Sequence, residues 1–222
     1  MEQQNVRHLG LIPDGARRWA RKKGRSYYES YWLAMTKLID FLDAAFQEHV
    51  LIQSVYLLST ENLTRTPSDL APVFATEERF LKELLPSLCE KWGCSVHHAG
   101  VKNLLPRSYV HAIEQVCLQF SGTSGSTKRK LYLLIAYSPW DELSYAIECA
   151  LRPLDFRQHL WVTEDVDLVI RTAGGQLMSN FLSLQSGYAE LCFISALFND
   201  VETEDIVRII RSSNNKVRLL GR

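Results

Sequence analysis

Three short polar segments of this 222-residue chain carry side chains that suit phosphate chemistry. The first segment contains Asp14, Gly15, Arg17 and Arg18. Arginine matches the geometry of phosphate oxygens, glycine lets the backbone approach a ligand, and a carboxylate can hold a Mg²⁺ ion that also binds a diphosphate. The same residues would also suit a helix N-cap beside solvated arginines, and that simpler interpretation stays open.

The second and third segments add hydroxyl, amide and guanidinium groups. Ser59, Asn62 and Arg65 can bind the same phosphates, although a Ser-Thr-Glu-Asn sequence also caps helices. In the third segment, Arg171 precedes a Gly-Gly pair and Ser179, and a glycine-rich bend of this kind can receive an anion through its backbone N–H groups. A plain turn is the alternative for this third segment.

Two further groups of residues are candidate metal ligands. Glu190 is a carboxylate beside an apolar strand, where burial without a partner would be costly, so it is either a second metal ligand or a structural acid with partners of its own. Cys89, Cys94, His97 and His98 match no standard zinc spacing, and Cys94 and His98 fit one face of a strand. We therefore predict no zinc site.

The elements that position these segments follow from hydrophobic periodicity. Short apolar runs alternate with stretches of helical period, which predicts an α/β fold with a central, mostly parallel sheet of about six strands flanked by helices. Ligands bind at the carboxyl ends of the strands in such sheets, and all three segments begin there. The predicted strands span 8–12, 52–58, 95–100, 130–136, 167–171 and 190–194, and the predicted amphipathic helices span 31–47 and 76–90.

Composition favours one globular domain over residues 1–222. The chain is 46% hydrophobic and 23% charged, and at this length it can bury a core without disulfides. The small-residue cluster at 121–127 is short and isolated, so we predict a surface loop there rather than a domain linker. Twenty-five basic residues balance twenty-five acidic ones, so no overall field attracts nucleic acid or acidic membranes.

Cysteine usage and hydropathy predict a cytoplasmic protein with no stable membrane insertion. The five cysteines are odd in number and lie mostly in apolar runs, as reduced thiols in a cytosolic protein do. No apolar stretch approaches the ~18 residues of a membrane span, and the residues after Met1 lack the apolar core of a signal peptide.

In order and spacing, these segments closely resemble the cis-prenyltransferase family of the undecaprenyl diphosphate synthase type. The resemblance covers nearly the whole chain and includes Trp19 in the first segment and the sequence YAEL at 188–191. It implies a fold with a hydrophobic tunnel, Mg²⁺ as cofactor, allylic diphosphate substrates and a homodimer. It also implies that Asp14 is the catalytic, Mg²⁺-binding aspartate, that Arg18 contacts the ionising allylic diphosphate, and that Glu190 is a second acid implicated in metal binding.

The same resemblance assigns the polar residues of the other two segments. Arg171 and Ser179 correspond to ligands of the second diphosphate. Ser59, Asn62 and Arg65 correspond to a segment that flexes over the substrates and orients them.

Several departures from the family pattern concentrate on diphosphate handling. Ala16-Arg17 replaces an Asn-Gly pair, and the sequence GGQL at 174–177 replaces Gly-Glu-x-Arg, so the second site lacks a carboxylate and one arginine. The sequence SYWLA at 30–34 replaces a Gly-His-x-x-Gly phosphate turn, and residues 216–222 only approximate a C-terminal Arg-x-Gly. The sequence PDGARRW at 13–19, the Gly-Gly pair without the usual glutamate and the sequence LFND at 197–200 resemble a smaller branch, the cyclolavandulyl and isosesquilavandulyl diphosphate synthases, which couple two allylic diphosphates head to middle.

The predicted tunnel is short. The residue after Tyr56 is often small in long-chain members of the family, whereas here it is Leu57. Bulk at this position should stop chain growth early, which favours a C10 or C15 product. Strand alternation predicts that Leu57 faces the prenyl tail and that Leu58 faces the other side of the sheet, and Phe74 and Phe80 are the next candidate walls.

Three functions remain open on this basis. The first is irregular condensation of dimethylallyl diphosphate with dimethylallyl or geranyl diphosphate to a branched, lavandulyl-type product. The second is regular short-chain condensation with isopentenyl diphosphate. The third is a catalytically silent partner subunit of a prenyltransferase complex, and the retained Asp14, Arg18, Arg171 and Glu190 count against it.

Overall fold

Six of the apolar runs pair into one sheet in a computed structural model that describes residues 5–122 and 129–216. The strand order is β3-β4-β2-β1-β5-β6, and every neighbouring pair is parallel. This arrangement confirms the predicted fold class, and each predicted strand is present to within one residue at either end. The strands are β1 (His8–Ile12), β2 (Ile52–Ser59), β3 (Ser95–Ala99), β4 (Lys130–Tyr137), β5 (Leu168–Arg171) and β6 (Glu190–Phe193).

Seven α-helices accompany the sheet within the described residues, and none of them is long and apolar enough to cross a membrane. Most of the predicted loop at 121–127, and all but the first residue of 216–222, lie outside the described residues. The helices are α1 (Ala16–Lys23), α2 (Tyr27–Gln47), α3 (Pro67–Glu83), α4 (Leu85–Trp92), α5 (Arg107–Gln119), α6 (Pro139–Cys149) and α7 (Thr203–Asn214).

The start of α2 lies four residues before the predicted one because a capping box fixes it. The Ser26 hydroxyl oxygen accepts a hydrogen bond from the Glu29 N–H at 3.1 Å, and the Glu29 carboxylate accepts one from the Ser26 N–H at 2.9 Å. Reciprocal bonds of this kind satisfy two N–H groups that a helix start otherwise leaves unpaired. This cap also brings Tyr31 into the second turn of the helix.

The single helix predicted at 76–90 is wrong, since two helices occupy this region. The first of them, α3, begins nine residues earlier, after the N-cap Thr66, whose hydroxyl accepts the Asp69 N–H at 3.3 Å. The helix ends at Glu83, and α4 starts at Leu85 with Pro86 in its first turn. Proline has no N–H to bond the carbonyl four residues earlier, so the helical ladder is interrupted at this point.

Alternate residues of the strands enter two different apolar clusters on the two faces of the sheet. On β4, Leu131, Leu133 and Ile135 belong to the larger cluster beneath α2, α3, α4, α5 and α7, whereas Tyr132 and Leu134 belong to a smaller cluster on the opposite face. Both faces of a parallel sheet must be covered, which explains why the strands are nearly continuous apolar runs. The sheet is therefore a rigid platform for the loops that follow its strands.

A β-bulge interrupts the alternation at the end of β2. Tyr56 pairs with Leu134 and Leu58 pairs with Ile135, so Leu57 is an extra residue without a partner on β4. As a result, Leu57 packs against the same large cluster that contains Leu58. The prediction that Leu58 faces the other side of the sheet is therefore wrong.

Candidate active site

The three polar segments meet at one cavity of about 450 Å³. They meet because β2, β1 and β5 are neighbours in the sheet and each segment follows the carboxyl end of one of these strands. The structure thereby brings together ten of the predicted site residues: Asp14, Gly15, Arg17, Arg18, Leu57, Ser59, Asn62, Arg65, Arg171 and Ser179.

Asp14 lies between two guanidinium groups. Its Oδ2 atom is 3.0 Å from Arg171 Nη2 and 3.4 Å from Arg18 Nη2, and its side chain is 36% exposed. The backbone of Asp14 is held by Thr172, whose hydroxyl accepts the Asp14 N–H at 2.9 Å and donates to the Asp14 carbonyl at 2.8 Å. The carboxylate is thus fixed in position while it remains accessible to a ligand.

Gly15 is required at the start of α1 by geometry. Its φ of 108° lies in the left-handed region, and a Cβ atom there would stand 2.9 Å from both the Ala173 Cβ and the Leu197 Cδ2. Gly15 is also the N-cap, and no side chain caps this helix, so the interpretation of Asp14 as a helix cap is wrong. The first N–H groups of α1 therefore have no side-chain acceptor, which suits an anion.

Arg171 organises the third segment. Its Nη1 donates to the Leu177 carbonyl at 2.6 Å and to the Ser179 hydroxyl at 2.7 Å, while its Nη2 donates to Asp14. Its Nε is buried and has no hydrogen-bond partner among the described residues. Gly175 packs against this guanidinium, since a Cβ atom there would lie only 3.1 Å from Nε. The plain-turn alternative does not account for this arrangement.

Left-handed backbone is concentrated in the same segment. Ala173, Ser179, Asn180 and Leu182 have φ values of 69°, 48°, 62° and 35°. Non-glycine residues in this region cost of order 1 to 3 kcal/mol each, and such strain gathers at ligand-binding sites. Side-chain bonds hold the segment in place: Tyr56 donates to the Ser179 carbonyl at 3.2 Å, and the Asn180 amide donates to the Glu61 carboxylate at 2.9 Å.

The second segment combines a hydrogen-bonded turn with the guanidinium group of Arg65. The Ser59 hydroxyl oxygen accepts hydrogen bonds from the Asn62 N–H at 3.2 Å and from the Asn62 side-chain amide at 2.6 Å, and both side chains also line the cavity. These bonds close the turn, whereas Thr60, the N-cap of the short helix that follows, makes no side-chain cap bond. The Arg65 guanidinium lines the cavity and has no ion pair among the described residues, whereas Arg17 is paired with Asp69 at 2.8 Å.

The cavity is strongly cationic although the whole chain is neutral. Five arginines line it against the single carboxylate of Asp14: Arg17, Arg18, Arg21, Arg65 and Arg171. Sequence reasoning missed Arg21, Tyr31 and Val73. For Arg21 a signal was available, because residues three and four apart share a helix face and Arg17 and Arg18 had already been assigned.

Glu190 and Asp14 lie at opposite ends of the parallel strands. It is the first residue of β6 and pairs with Leu168, the first residue of β5, whereas the cavity lies beyond the last residue of β5. Its carboxylate accepts a hydrogen bond from the Ser213 hydroxyl at 2.8 Å and forms an ion pair with Lys216. Within one chain the prediction that Glu190 joins Asp14 as a metal ligand is wrong, and its contacts with Ser213 and Lys216 fit the alternative of a structural acid.

The donor set fits a Mg²⁺ ion that arrives with a diphosphate. Among residues 5–122 and 129–216, no group of three or more His, Cys, Asp or Glu side chains could hold a metal ion alone. Mg²⁺ commonly binds one or two carboxylates and completes its octahedron with substrate phosphate oxygens and water. Asp14, accessible and placed at the cationic end of the cavity, is the carboxylate available for this role.

Part of the cavity wall is apolar. Leu57 lines it as predicted, together with Leu58 and Val73. Phe74 and Phe80 do not: Phe80 is fully buried in the large core cluster, and Phe74 packs against that cluster. Their assignment as cavity walls is not supported by this geometry, and a continuous tunnel stays a prediction.

The fold and the cavity together define an α/β protein whose site suits diphosphate-bearing ligands. The family model described as putative undecaprenyl diphosphate synthase matches residues 12–221. The tritrans,polycis-undecaprenyl-diphosphate synthases (geranylgeranyl-diphosphate specific) of Pyrococcus horikoshii and Sulfolobus acidocaldarius are 30% and 33% identical to this chain, over 97% and 96% of its length and 87% of theirs. This chain belongs to the undecaprenyl diphosphate synthase family of prenyltransferases.

Two solved structures share the fold. A probable undecaprenyl diphosphate synthase from Campylobacter jejuni superposes with a TM-score of 0.79 at 26% identity and covers 99% of this chain and 100% of its own. The lavandulyl diphosphate synthase from Lavandula x intermedia, solved in complex with dimethylallyl diphosphate, superposes with a TM-score of 0.88 at 24% identity and covers 98% of this chain and 99% of its own.

Proposed function

We propose that this prenyltransferase is a Mg²⁺-dependent short-chain synthase that couples two allylic diphosphates head to middle. The donor is dimethylallyl or geranyl diphosphate, the acceptor is dimethylallyl diphosphate, and the product is a branched, lavandulyl-type C10 or C15 diphosphate. The observation that carries the proposal is the distribution of cations around the cavity.

The cations are unevenly divided among the three segments that form the site. Arg17, Arg18 and Arg21 lie on α1 beside Asp14, and Arg65 faces them from the second segment. The third segment contributes only Arg171, since Leu177 stands where the family pattern has a second arginine and its side chain is 65% exposed. This division supports strong binding of the ionising diphosphate and an altered site for the acceptor.

The chain's own residues supply the main catalytic effect by electrostatic stabilisation. Arginine side chains and the N–H groups at the start of α1 are aimed at the position of a leaving diphosphate, where negative charge develops as the C–O bond of the donor breaks. A bound Mg²⁺ would add Lewis-acid neutralisation of that charge at Asp14. Arg171 and Ser179 would hold the acceptor diphosphate so that its double bond lies next to the allylic carbon.

The volume of the cavity and the bulky side chains in its apolar wall support a short product. A ligand cavity ranges over roughly 300 to 1,000 Å³, and this one, at about 450 Å³, lies toward the small end. Leu57 and Leu58 both face it because of the bulge in β2, and Tyr31 stands at the position of the family's imidazole. Two leucine side chains in the cavity wall leave less room for a prenyl tail than one would, and regular strand alternation would place only one of them there.

A regular short-chain synthase that uses isopentenyl diphosphate is the second candidate. The curated relatives at 30% to 33% identity carry names of regular chain-elongating enzymes, and this observation favours it. The deciding experiment supplies the purified chain and Mg²⁺ with each pair of dimethylallyl, geranyl and isopentenyl diphosphates and identifies products by mass spectrometry and NMR. Branched products from allylic pairs alone support irregular coupling; linear products formed only with isopentenyl diphosphate would replace it with the regular reaction.

We also propose that the chain acts as a homodimer in the cytoplasm. β6 is an edge strand of the sheet, and Leu191 on it and Tyr188 just before it are 44% and 71% exposed. Exposed apolar residues along a sheet edge suit an interface with a second copy. Sedimentation equilibrium at micromolar concentration tests this, and a monomer at all concentrations would exclude it.

A further inference from the structure

Glu77 and Tyr109 form a buried hydrogen-bonded pair between α3 and α5. The Tyr109 hydroxyl donates to the Glu77 carboxylate, Glu77 is 3% exposed, and Tyr109 is fully buried. The same face of α3 otherwise presents apolar side chains such as Phe80 and Leu81 to the core. A carboxyl group in such surroundings is costly, so its position calls for a physical explanation.

The pair lies one helical turn from Val73, a residue of the cavity wall, but does not line the cavity itself. Val73 lines the cavity, and Glu77 follows it by four residues, which places Glu77 on the same face of α3 one turn later. Burial raises the pKa of Glu77 to about 7, while the Tyr109 hydrogen bond and the charge of the cavity residue Arg65 pull it partly back. Glu77 and Tyr109 do not line the cavity, so the pair lies buried behind the wall to which Val73 and Arg65 contribute.

Tyr31, a second residue of the cavity wall, interacts electrostatically with Glu77. Tyr31 lines the cavity from α2, and burial raises the pKa of its hydroxyl; the charges of Arg65 and Arg17 lower this pKa, and the smaller effect of the Glu77 charge raises it. On the far side, the ring of Phe74 packs 5.9 Å from the ring of Tyr109, which holds the phenol in place. The carboxyl–phenol pair is thus fixed between the apolar part of the cavity and the core behind it.

We propose that the Glu77–Tyr109 pair is a polar end wall that limits the length of the prenyl tail this chain accepts. A tail that passes Leu57, Leu58 and Val73 gains apolar contact at each step. At Glu77 the next isoprene unit would have to displace a buried hydrogen bond and leave polar groups unpaired, which costs more than the contact returns. The proposal rests on the proposed function only in requiring that the cavity binds prenyl diphosphates.

The test removes both polar groups while keeping their shape. In Glu77→Leu/Tyr109→Phe no polar atom of the pair is left unsatisfied, so the fold should survive. Glu78→Leu is the matched control, because Glu78 is the next residue of α3 but pairs with Lys82 at 2.6 Å outside the cavity. The dissociation constants of dimethylallyl, geranyl and farnesyl diphosphate are measured by calorimetry for each protein, with inorganic diphosphate as the reference.

The expected result is a shift of the affinity ratio toward the longer donors by at least about tenfold in the double variant, as burial of part of one isoprene unit gives. Glu78→Leu should keep the wild-type ratio, and inorganic diphosphate should bind equally to all three proteins. An unchanged ratio in a folded double variant overturns the end wall. If circular dichroism shows that the double variant is unfolded, the same affinity ratio is measured for Glu77→Met, and an unchanged ratio in that variant overturns the end wall.

Turnover separates this inference from the proposed function. Wild-type protein that binds the three donors but turns over no allylic pair contradicts irregular coupling, and the affinity ratio still decides the end wall. Wild-type turnover of allylic pairs together with an unchanged ratio in the double variant overturns the end wall alone.

Discussion

Arg171 Nη2 and Asp14 Oδ2 lie 3.0 Å apart, although 157 residues separate the two in the chain. They meet because β5 and β1 are neighbours and Arg171 pairs with Ile12, two residues before Asp14. The same arginine holds the third segment through Leu177 and Ser179. One side chain therefore connects the metal-binding carboxylate of the proposed reaction with the loop of the acceptor site.

Replacing Asp14 by alanine should lower kcat by at least about a hundredfold, because the substitution removes the only carboxylate in the described wall of the cavity. The fold should survive, since the side chain is partly exposed and contributes little packing. Steady-state turnover at saturating Mg²⁺ and far-UV circular dichroism check both statements. Near-wild-type turnover would contradict the assignment.

Arg171→Lys should weaken acceptor binding. A lysine carries the charge but cannot bond Asp14, Leu177 and Ser179 at once, as the guanidinium does. Loss of one bond to a charged group costs about 1.5 to 3 kcal/mol, or roughly 10- to 150-fold in the acceptor KM. The KM of the donor should change less, and an equal rise in both would place Arg171 at neither diphosphate in particular.

Leu57→Ala and Leu58→Ala should both shift donor preference toward longer tails, because the bulge in β2 directs both residues to the cavity. Leu58→Ala should also cost about 2 to 5 kcal/mol of stability, since Leu58 is 2% exposed. Leu133→Ala is the control: it lies in the same core cluster outside the cavity and should destabilise the fold without changing preference. Urea unfolding and competition between donors measure the two effects.

Glu190→Gln should destabilise the chain and leave its Mg²⁺ dependence unchanged. The substitution weakens the contacts with Ser213 and Lys216, which are partly exposed, so the expected loss is about 1 kcal/mol. Titration of activity against Mg²⁺ concentration distinguishes this structural role from metal binding. A raised Mg²⁺ requirement in Glu190→Gln would restore the acid to the active site.

Glu77 should make the fold less stable as pH rises from about 4.5 to about 7. Burial raises its folded-state pKa to about 7 from the ordinary value of 4.5, so the folded chain binds more protons than the unfolded chain in this interval. Stability then falls by up to about 1.4 kcal/mol per pH unit and is level above the folded pKa. The difference in unfolding free energy between wild type and Glu77→Gln, measured by urea at pH 5 to 8, isolates this slope. Parallel curves for the two proteins would contradict it.

Much of the site was predictable because its residues lie at the ends of strands or directly after them in the sequence. Asp14, Ser59 and Arg171 each lie at or just after the carboxyl end of a strand, and parallel pairing brings such ends together whatever the chain does between them. The position of Glu190 was predictable on the same ground. Its strand begins at that residue, so the parallel direction of the strands alone places it at the opposite end of the strands from the cavity.

Other features depend on contacts that no local pattern encodes. The bulge at Leu57 depends on register with β4, and register is a property of two strands rather than one. Val73 and Tyr31 reach the cavity because α3 and α2 pack against the large cluster. Hydrophobic periodicity predicts which face of a helix is buried, but it does not predict how the helix is positioned against the sheet. The break at Pro86 carried a visible signal, since a proline inside a predicted helix interrupts its ladder.

The crowding of arginines around one carboxylate has a consequence for the lifetime of the protein. Like charges held at one edge of the fold repel each other, so a diphosphate that neutralises them binds the folded chain and not the unfolded one. At a hundred times its dissociation constant such a ligand adds about 2.7 kcal/mol of stability. A cell that runs short of prenyl diphosphates should therefore hold less of this enzyme, because the emptied chain opens more often and is degraded sooner.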